Sequence, residues 1–275
     1  MKYIFIDIDG TLTDRHGRVP LSAIKAIKYA RKMGHKVFLA TGRSKCEIFD
    51  NVLDIGFDGI VGAAGGYVEV EGKVIESNSM TKEEAERIIN ILNSRNIKFS
   101  AETDESVYNN GKTQEFLKDV FTSLGRDTET DLFYNMMTKT ENFDNVYGIN
   151  KILYYDTDLL IDDMRKLTGE KYNIIPYTVK EFGRNSGEIN IKGVTKEKGI
   201  VKILEYYGGS REETAAIGDG DNDIEMLKFA NIGIAMGNSS KNLIKWADYV
   251  TDDVNKNGLS SAVYYILGEK LKNQW

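Results

Sequence analysis

The sequence predicts an α/β protein built on a doubly wound parallel sheet, with a second α/β domain inserted into it. Apolar runs alternate with helical patterns from the N-terminus to about Ile60, which is typical of parallel sheets covered by helices. The same alternation resumes after Gly193. The segment that lies between these two stretches has a different pattern. This change indicates an inserted domain that is joined to the core by two chain crossings.

The first stretch contains three predicted strands and two predicted helices, and a predicted hairpin follows it. The strands are apolar runs at residues 2–7, residues 36–40 and around Ile60, and the helices cover residues 22–33 and a segment ending at Ile55. Residues 67–70 and 73–76 flank Glu71-Gly72, a dipeptide typical of a tight hairpin turn.

The inserted segment begins with a capping box formed by Thr81 and Glu84 ahead of a helix. Short strands are predicted around Lys98, Lys151 and Glu188, with helices near Phe116 and Met164. The returning core pattern predicts a helix at 196–207, a strand at 214–217, a helix from about Asp223 and a strand at 232–235. We therefore expect a core of residues 1–80 and 191–275, and an inserted domain of residues 81–190.

The cysteine and histidine content argues against two common kinds of structural cross-link, disulfides and zinc sites. Cys46 is the single cysteine, and His16 and His35 lie far apart, so neither a disulfide framework nor a Cys/His zinc site is expected. The apolar N-terminal run is interrupted at Asp7 and does not read as a signal peptide or a membrane span. We expect a cytoplasmic protein with no membrane partner.

The formal net charge of −6 and the pI of about 5.2 argue against nucleic acid as a partner. They do not argue against a small phosphate ester, because a bound cation and a few local donors dominate the field inside a site. The sequence does not distinguish a monomer from a homodimer.

Two carboxylates end the first predicted strand, in Asp7-Ile8-Asp9-Gly10-Thr11. Open parallel sheets bind their ligands outside the carboxyl ends of the strands. Residues two apart in an extended chain project to the same side, so Asp7 and Asp9 can address one reacting group, and Gly10 lets the chain turn away. Taken alone, such a pair is more often a solvated strand end.

A second acidic cluster, Gly218-Asp219-Gly220-Asp221-Asn222-Asp223, follows another apolar strand and should lie beside the first. An EF-hand is excluded, because its required glycine and glutamate positions hold Ile224 and Ala230. Several gathered carboxylates repel one another and require a compensating positive charge. Mg²⁺ fits, since it prefers oxygen ligands and is usually held by a few carboxylates.

Two further segments are weaker signals by themselves. Thr41-Gly42-Arg43 follows a strand and could hold phosphate oxygens through a hydroxyl, backbone N–H groups and a guanidinium, although a helix cap with a solvated arginine is the simpler interpretation. Lys196 begins a helix, where a lysine is usually solvated.

In this order, the four segments resemble the motifs of the haloacid dehalogenase superfamily of phosphotransferases, and within it the Cof-like hydrolases with a large α/β cap. The motifs are Asp7-x-Asp9-Gly10-Thr11, Thr41-Gly42-Arg43, the lysine in Thr195-Lys196-Glu197-Lys198-Gly199, and Gly218-Asp219-Gly220-Asp221-Asn222-Asp223. The resemblance spans essentially the whole chain and implies a Mg²⁺-dependent phosphatase acting on a small phosphorylated metabolite, such as a sugar phosphate.

The resemblance also implies roles for single residues. Asp7 is the implied nucleophile, Asp9 the general acid and base, Thr41 a phosphate hydrogen-bond donor, and Lys196, rather than Lys198, the cation beside Asp7. Gly10, Gly42, Arg43 and Asn222 are implied phosphate neighbours, and Mg²⁺ is expected at Asp7, the Asp9 carbonyl, Asp219 and Asp223, the last directly or through water. The inserted domain would select the substrate.

One departure and two alternatives accompany this interpretation. Gly65-Gly66 stands where many relatives carry Asn-Gly, so a polar group expected near the site is missing. A phosphomutase or other phosphotransferase could use the same aspartyl phosphate. A signalling or binding module phosphorylated on Asp7 is the alternative of another class, and Asp9 argues against it because an acid there would hasten loss of the phosphate.

Overall fold

The computed structural model describes residues 1–177 and 179–269. Within them the chain divides into two compact units. The core unit contains Met1–Arg43, Ile48–Ser77 and the described residues from Thr195 onward, and the inserted unit contains Ser44–Glu47 and Asn78–Val194. The expected domain boundaries of 80/81 and 190/191 differ from these by a few residues. The sequence pattern does not predict that Ser44–Glu47 belongs to the inserted unit.

The strands and helices are numbered in chain order. The strands are β1 Tyr3–Ile6, β2 Lys36–Ala40, β3 Gly59–Gly62, β4 Tyr67–Val70, β5 Lys73–Ser77, β6 Lys98–Glu102, β7 Val107–Asn109, β8 Met137–Lys139, β9 Lys151–Tyr155, β10 Tyr172–Pro176, β11 Gly187–Ile191, β12 Thr214–Gly218, β13 Ile232–Ala235 and β14 Tyr249–Val250. The α-helices are α1 Leu21–Lys32, α2 Asp50–Leu53, α3 Lys82–Ser94, α4 Gly111–Ser123, α5 Leu132–Asn135, α6 Ile161–Thr168, α7 Lys196–Tyr207, α8 Ile224–Phe229, α9 Lys241–Ile244 and α10 Gly258–Leu267.

The core unit is built on one sheet with the strand order β14-β13-β12-β1-β2-β3-β4-β5. Pairing is parallel from β14 to β3 and antiparallel in β3-β4-β5. Because β1 lies between β12 and β2, the residues that follow these three strands emerge side by side. The predicted fold class, a doubly wound parallel sheet, is confirmed.

Side chains of β1 alternate between two apolar layers, as the period of a strand requires. Ile4 and Ile6 pack in the layer that contains α1 and α10, whereas Tyr3 and Phe5 pack in the layer that contains α7 and α8. All four side chains are almost completely buried. A strand buried on both faces is expected where helices cover a parallel sheet on both sides.

The inserted unit has its own sheet, in the order β10-β11-β9-β6-β7-β8. Its pairs are antiparallel except for β7 with β8. Helix α3 begins with the predicted capping box, in which Thr81 and Glu84 exchange hydrogen bonds. Ile88 and Phe99 belong to an apolar cluster that packs α3 against this sheet, so the unit has its own core.

The predicted helix ending at Ile55 is wrong in its extent. The chain forms a 3₁₀ turn at Lys45–Glu47 and the short helix α2. Within the inserted unit the Ser44 hydroxyl donates to Glu102 Oε2 at 2.8 Å, while the Ser44 N–H donates to Glu47 Oε2 at 2.7 Å. These buried bonds hold the turn and override the local helical pattern.

Strand β10, which ends at Pro176, and helix α10 are absent from the sequence-based prediction. No helix within residues 1–177 or 179–269 is both long enough and apolar enough to cross a membrane.

Candidate active site

Three strand ends of the core sheet form the candidate site. Asp7 directly follows β1, Asp219 directly follows β12 and Thr41 directly follows β2. Because these neighbouring strands are parallel, their carboxyl ends lie at one edge of the sheet. Carboxylate oxygens of Asp7, Asp219 and Asp223 lie within 4.8 Å of one another. The structure thus brings together the two acidic clusters singled out in the sequence.

Lys196 enters this acidic cluster from the first position of α7. Its side chain is 1% exposed, and Nζ donates to Asp7 Oδ1 at 2.7 Å and to Asp223 Oδ1 at 2.5 Å. Thr195 caps the helix by accepting from the Lys198 N–H at 3.3 Å. Lys198 itself is exposed, so Lys196 is the lysine that lies against Asp7.

Burial and mutual repulsion disfavour the charged forms of Asp7 and Asp219. Burial, followed by the nearby Asp223 carboxylate, raises the pKa of Asp7 to about 8, and the Lys196 ammonium opposes this rise. Burial also raises the pKa of Asp219 to about 6, against the hydrogen bond from the Thr11 hydroxyl. Three carboxylates facing one ammonium leave a deficit of positive charge, which a divalent cation would remove.

The hydrogen bonds show which oxygens suit a cation. Oδ1 of Asp7 accepts from Lys196, and Oδ1 of Asp219 accepts from Thr11 at 3.0 Å. Asp223 uses both oxygens, because Oδ1 accepts from Lys196 and Oδ2 accepts the N–H groups of Asp219 and Gly220. The Oδ2 atoms of Asp7 and Asp219 therefore suit direct ligation, and Asp223 suits ligation through water. This hard, all-oxygen donor set fits Mg²⁺.

Two glycines allow the acidic residues to approach the backbone. Gly10 has φ +85°, and a Cβ at this position would lie 2.2 Å from Asp219 Oδ2. A Cβ on Gly218 would lie 2.5 Å from Asp223 Oδ2. Larger residues at either position would displace a carboxylate of the cluster.

Asn238 is a site neighbour that the sequence analysis missed. Its Nδ2 donates to the Gly10 carbonyl at 2.8 Å, and its Oδ1 accepts from the Val254 N–H at 3.0 Å. Asn238 follows β13, which ends at Ala235 beside β12. The strand-end rule that identified Asp7 and Asp219 could have identified this residue as well.

Thr41 and Arg43 occupy different surroundings. Thr41 is buried, and its hydroxyl accepts from the Arg43 N–H at 3.1 Å. The Arg43 guanidinium binds Asp9, with Nε 2.8 Å from Oδ2 and Nη2 2.6 Å from Oδ1. The sequence predicts an Arg43 that faces a phosphate group and gives no signal of its pairing with Asp9.

Gly42 and Gly65 mark two other close approaches. A Cβ on Gly42 would lie 3.9 Å from Asn222 Nδ2, so Asn222, although exposed, faces the Thr41-Gly42-Arg43 segment. Gly65 has φ +105°, and a Cβ there would lie 2.1 Å from the Thr195 carbonyl oxygen. The backbone beside Thr195 therefore excludes an asparagine at this position without rearrangement.

Comparison with known proteins identifies relatives along nearly the whole chain. A 5-amino-6-(5-phospho-D-ribitylamino)uracil phosphatase, YwtE of Bacillus subtilis, is 27% identical to this chain over 292 residues, and the match covers 100% of both chains. A phosphoglycolate phosphatase of Methanothermobacter thermautotrophicus is 26% identical over 274 residues, covering 98% of this chain and 100% of its own.

Solved structures agree with these matches. The subclass IIB sugar phosphatase BT4131 has a TM-score of 0.76 and 28% identity, with 98% of this chain and 99% of that chain covered. The family model of the haloacid dehalogenase-like hydrolases matches residues 4–263. The resemblance inferred from the four motifs is therefore confirmed, and the chain belongs to the haloacid dehalogenase-like hydrolases.

Proposed function

We propose that this chain is a Mg²⁺-dependent phosphatase that hydrolyses a small phosphomonoester through a phosphate carried on Asp7. The observation that carries the proposal is the buried contact of Lys196 with Asp7 at the end of the central strand. This contact fixes one oxygen of Asp7 beside the Lys196 ammonium, which can also contact a phosphoryl group. The three relatives reported above are named as phosphatases, which supports the same reaction class.

In the first half reaction, an Asp7 oxygen attacks phosphorus and the bond from phosphorus to the ester oxygen breaks. Asp9 gives a proton to the departing oxygen. In the second half reaction, water attacks the same phosphorus, Asp9 takes the proton of that water, and the bond from phosphorus to Asp7 breaks. Inorganic phosphate leaves and both carboxyl groups return to their starting forms.

The remaining residues align the phosphate group and neutralise its charge, which is most of what phosphoryl transfer requires of a protein. We assign the phosphate contacts to Lys196, to the Thr41 hydroxyl, and to the backbone around Gly10 and Gly42, with Asn222 at the rim. Mg²⁺, held by Asp7, Asp219, the Asp9 carbonyl and Asp223, would supply positive charge for the phosphoryl oxygens.

We propose that the substrate is a small phosphorylated metabolite. The relatives named above are phosphatases of phosphoribitylaminouracil, phosphoglycolate and sugar phosphates, all of them small esters. The inserted unit, which has its own core and sheet, is the proposed source of selectivity among such esters. The lone Cys46 and the net charge support a cytoplasmic enzyme with no nucleic acid partner.

The test compares Asp7→Asn with Asp9→Asn. Asp7→Asn removes the nucleophile, so neither turnover nor a phosphorylated protein should be detectable. Asp9→Asn keeps the nucleophile but removes the proton carrier, which should slow turnover by ~10²- to 10⁴-fold. With nitrophenyl phosphate, whose leaving group departs without a proton, the first step should be partly restored.

Mass spectrometry of Asp9→Asn quenched during turnover should find phosphate on the peptide that contains Asp7. A label on another peptide would overturn the mechanism. Wild-type protein with Mg²⁺ should release inorganic phosphate from members of a panel of small phosphate esters. Transfer of the phosphate to a second sugar hydroxyl, without release, would instead identify a phosphotransferase.

A further inference from the structure

The Arg43–Asp9 ion pair is a specific contact of the core unit that the proposed chemistry leaves unexplained. Two guanidinium nitrogens, Nε and Nη2, bind the two carboxylate oxygens of Asp9 at 2.8 and 2.6 Å. This is the two-pronged geometry that makes arginine–carboxylate pairs directional as well as strong. The Asp9 side chain is 62% exposed and that of Arg43 is 25% exposed.

The backbone that carries Arg43 is anchored on both sides. Its N–H donates to the buried Thr41 hydroxyl at 3.1 Å, and its carbonyl accepts from the Ala63 N–H at 2.7 Å. The guanidinium therefore extends from a fixed point of the loop toward Asp9. A side chain as exposed as Asp9 would otherwise sample several rotamers, and the two-pronged contact selects one of them.

We propose that Arg43 is a positioning residue for Asp9: it holds the carboxyl group in the orientation needed for proton transfer and does not act mainly as a phosphate ligand. The inference rests on the proposed function of Asp9. An arginine that turned to the phosphate would give up two charge-assisted hydrogen bonds and leave Asp9 without them. Arg43 should therefore affect the rate of proton transfer more than the affinity for phosphate.

A double-mutant cycle with Arg43→Gln and Asp9→Asn tests this assignment. Arg43→Gln should lower kcat for an alkyl phosphate such as glycerol phosphate by about tenfold to a hundredfold, the scale expected when a reacting group is misplaced. The loss should be smaller for nitrophenyl phosphate, whose leaving group needs no proton. KM and the inhibition constant of inorganic phosphate should change less than about twofold.

In the Asp9→Asn background, Arg43→Gln should have less than about a twofold further effect, since the group it positions is already gone. A phosphate ligand predicts the opposite pattern. KM and the phosphate inhibition constant would then rise together for both substrates, and the two losses would multiply in the double variant. That result would overturn the assignment.

Two further variants separate positioning from folding. Arg31 also binds an aspartate with two nitrogens, at 3.0 and 3.2 Å from Asp58, within the core unit. Arg31→Gln should lower Tm without changing the dependence on the leaving group. Arg43→Lys keeps the charge but not the two-pronged contact, so it should resemble Arg43→Gln, and it carries the test if Arg43→Gln does not fold.

The outcomes also separate this inference from the proposed function. If wild-type protein with Mg²⁺ releases no phosphate from any ester, the proposed function fails and this inference fails with it. If the wild type is active but the losses multiply, the phosphatase assignment stands and Arg43 is a phosphate ligand.

Discussion

Replacing Lys196 by methionine tests the electrostatic account of the site most directly. Methionine fills a similar volume but has no charge, so the ammonium that bonds to Asp7 and Asp223 is removed while both carboxylates stay buried. Burial alone would lower the pKa of Lys196, but the Asp223 and Asp7 carboxylates outweigh burial and hold this pKa above its usual range. The lysine is therefore charged at any working pH.

The expected cost follows from the distances. Two carboxylates within 4.8 Å of each other repel by about 3 kcal/mol at an effective dielectric constant near 20. Removing one partner of a buried ion pair typically costs about 3–5 kcal/mol. We therefore expect Lys196→Met to lower the free energy of unfolding by about 3 kcal/mol at pH 8 without metal. For a chain of this length, this corresponds to a fall in Tm of roughly 6 °C.

The assay is thermal unfolding followed by circular dichroism, together with phosphate release. Lys198→Met is the matched control, because Lys198 is exposed two positions along the same helix, and it should change Tm and activity little. Asp223→Asn in the Lys196→Met background should recover part of the stability, since it removes one of the uncompensated charges. If Lys196→Met and Lys198→Met unfold at the same temperature and are equally active, the reasoning is refuted.

Three other outcomes are expected. Phosphatase activity should disappear in excess EDTA and return with Mg²⁺ but poorly with Ca²⁺, because the looser geometry of Ca²⁺ allows both oxygens of Asp7 to coordinate and leaves neither to attack. Full turnover in EDTA would contradict this. Without metal, the free energy of unfolding should fall as pH rises from about 4 to 8, because folded Asp7 and Asp219 retain protons, with pKa values of about 8 and 6, that the unfolded chain has lost. Thermal unfolding across this range should show a shallower fall with Mg²⁺, and equal slopes would exclude these groups as the cause. Gly10→Ala should weaken Mg²⁺ binding, measured by calorimetry, and destabilise the protein by about 1–3 kcal/mol, since its Cβ would meet Asp219 at φ +85°; an unchanged affinity would show that the loop yields.

The sequence predicts which strand ends form the candidate site, because one topological rule governs where those ends lie. Asp7 and Asp219 are far apart in the chain, but each follows an apolar strand, and neighbouring parallel strands place such residues together. The helix that presents Lys196 was also predictable, with bounds at 196–207 that the structure matches. The choice of Lys196 over Lys198 required the family resemblance, because hydrophobic periodicity alone does not identify a partner for a lysine at the start of a helix.

Side-chain pairing was not predictable in the same way. The Arg43–Asp9 contact depends on rotamers and on the spacing between two loops, neither of which leaves a periodic signal. The turn at Lys45–Glu47 depends on a bond from Ser44 to Glu102, a residue of a distant strand. Local patterns describe how a segment prefers to fold, and such long-range contacts can override that preference.

The pairing of β1 with β12 has a consequence for how the protein is made. Tyr3 is aligned with Thr214, so the strand that carries Asp7 gains its second neighbour only after most of the chain has been synthesised. Asn78–Val194 is continuous in sequence and can acquire its own core earlier. During translation Asp7, the proposed nucleophile, therefore emerges first, while Lys196, Asp219 and Asp223 emerge after the inserted unit. A nascent chain that ends before Lys196 contains Asp7 but lacks the lysine and the two buried-cluster carboxylates, Asp219 and Asp223, that lie beside it in the folded protein.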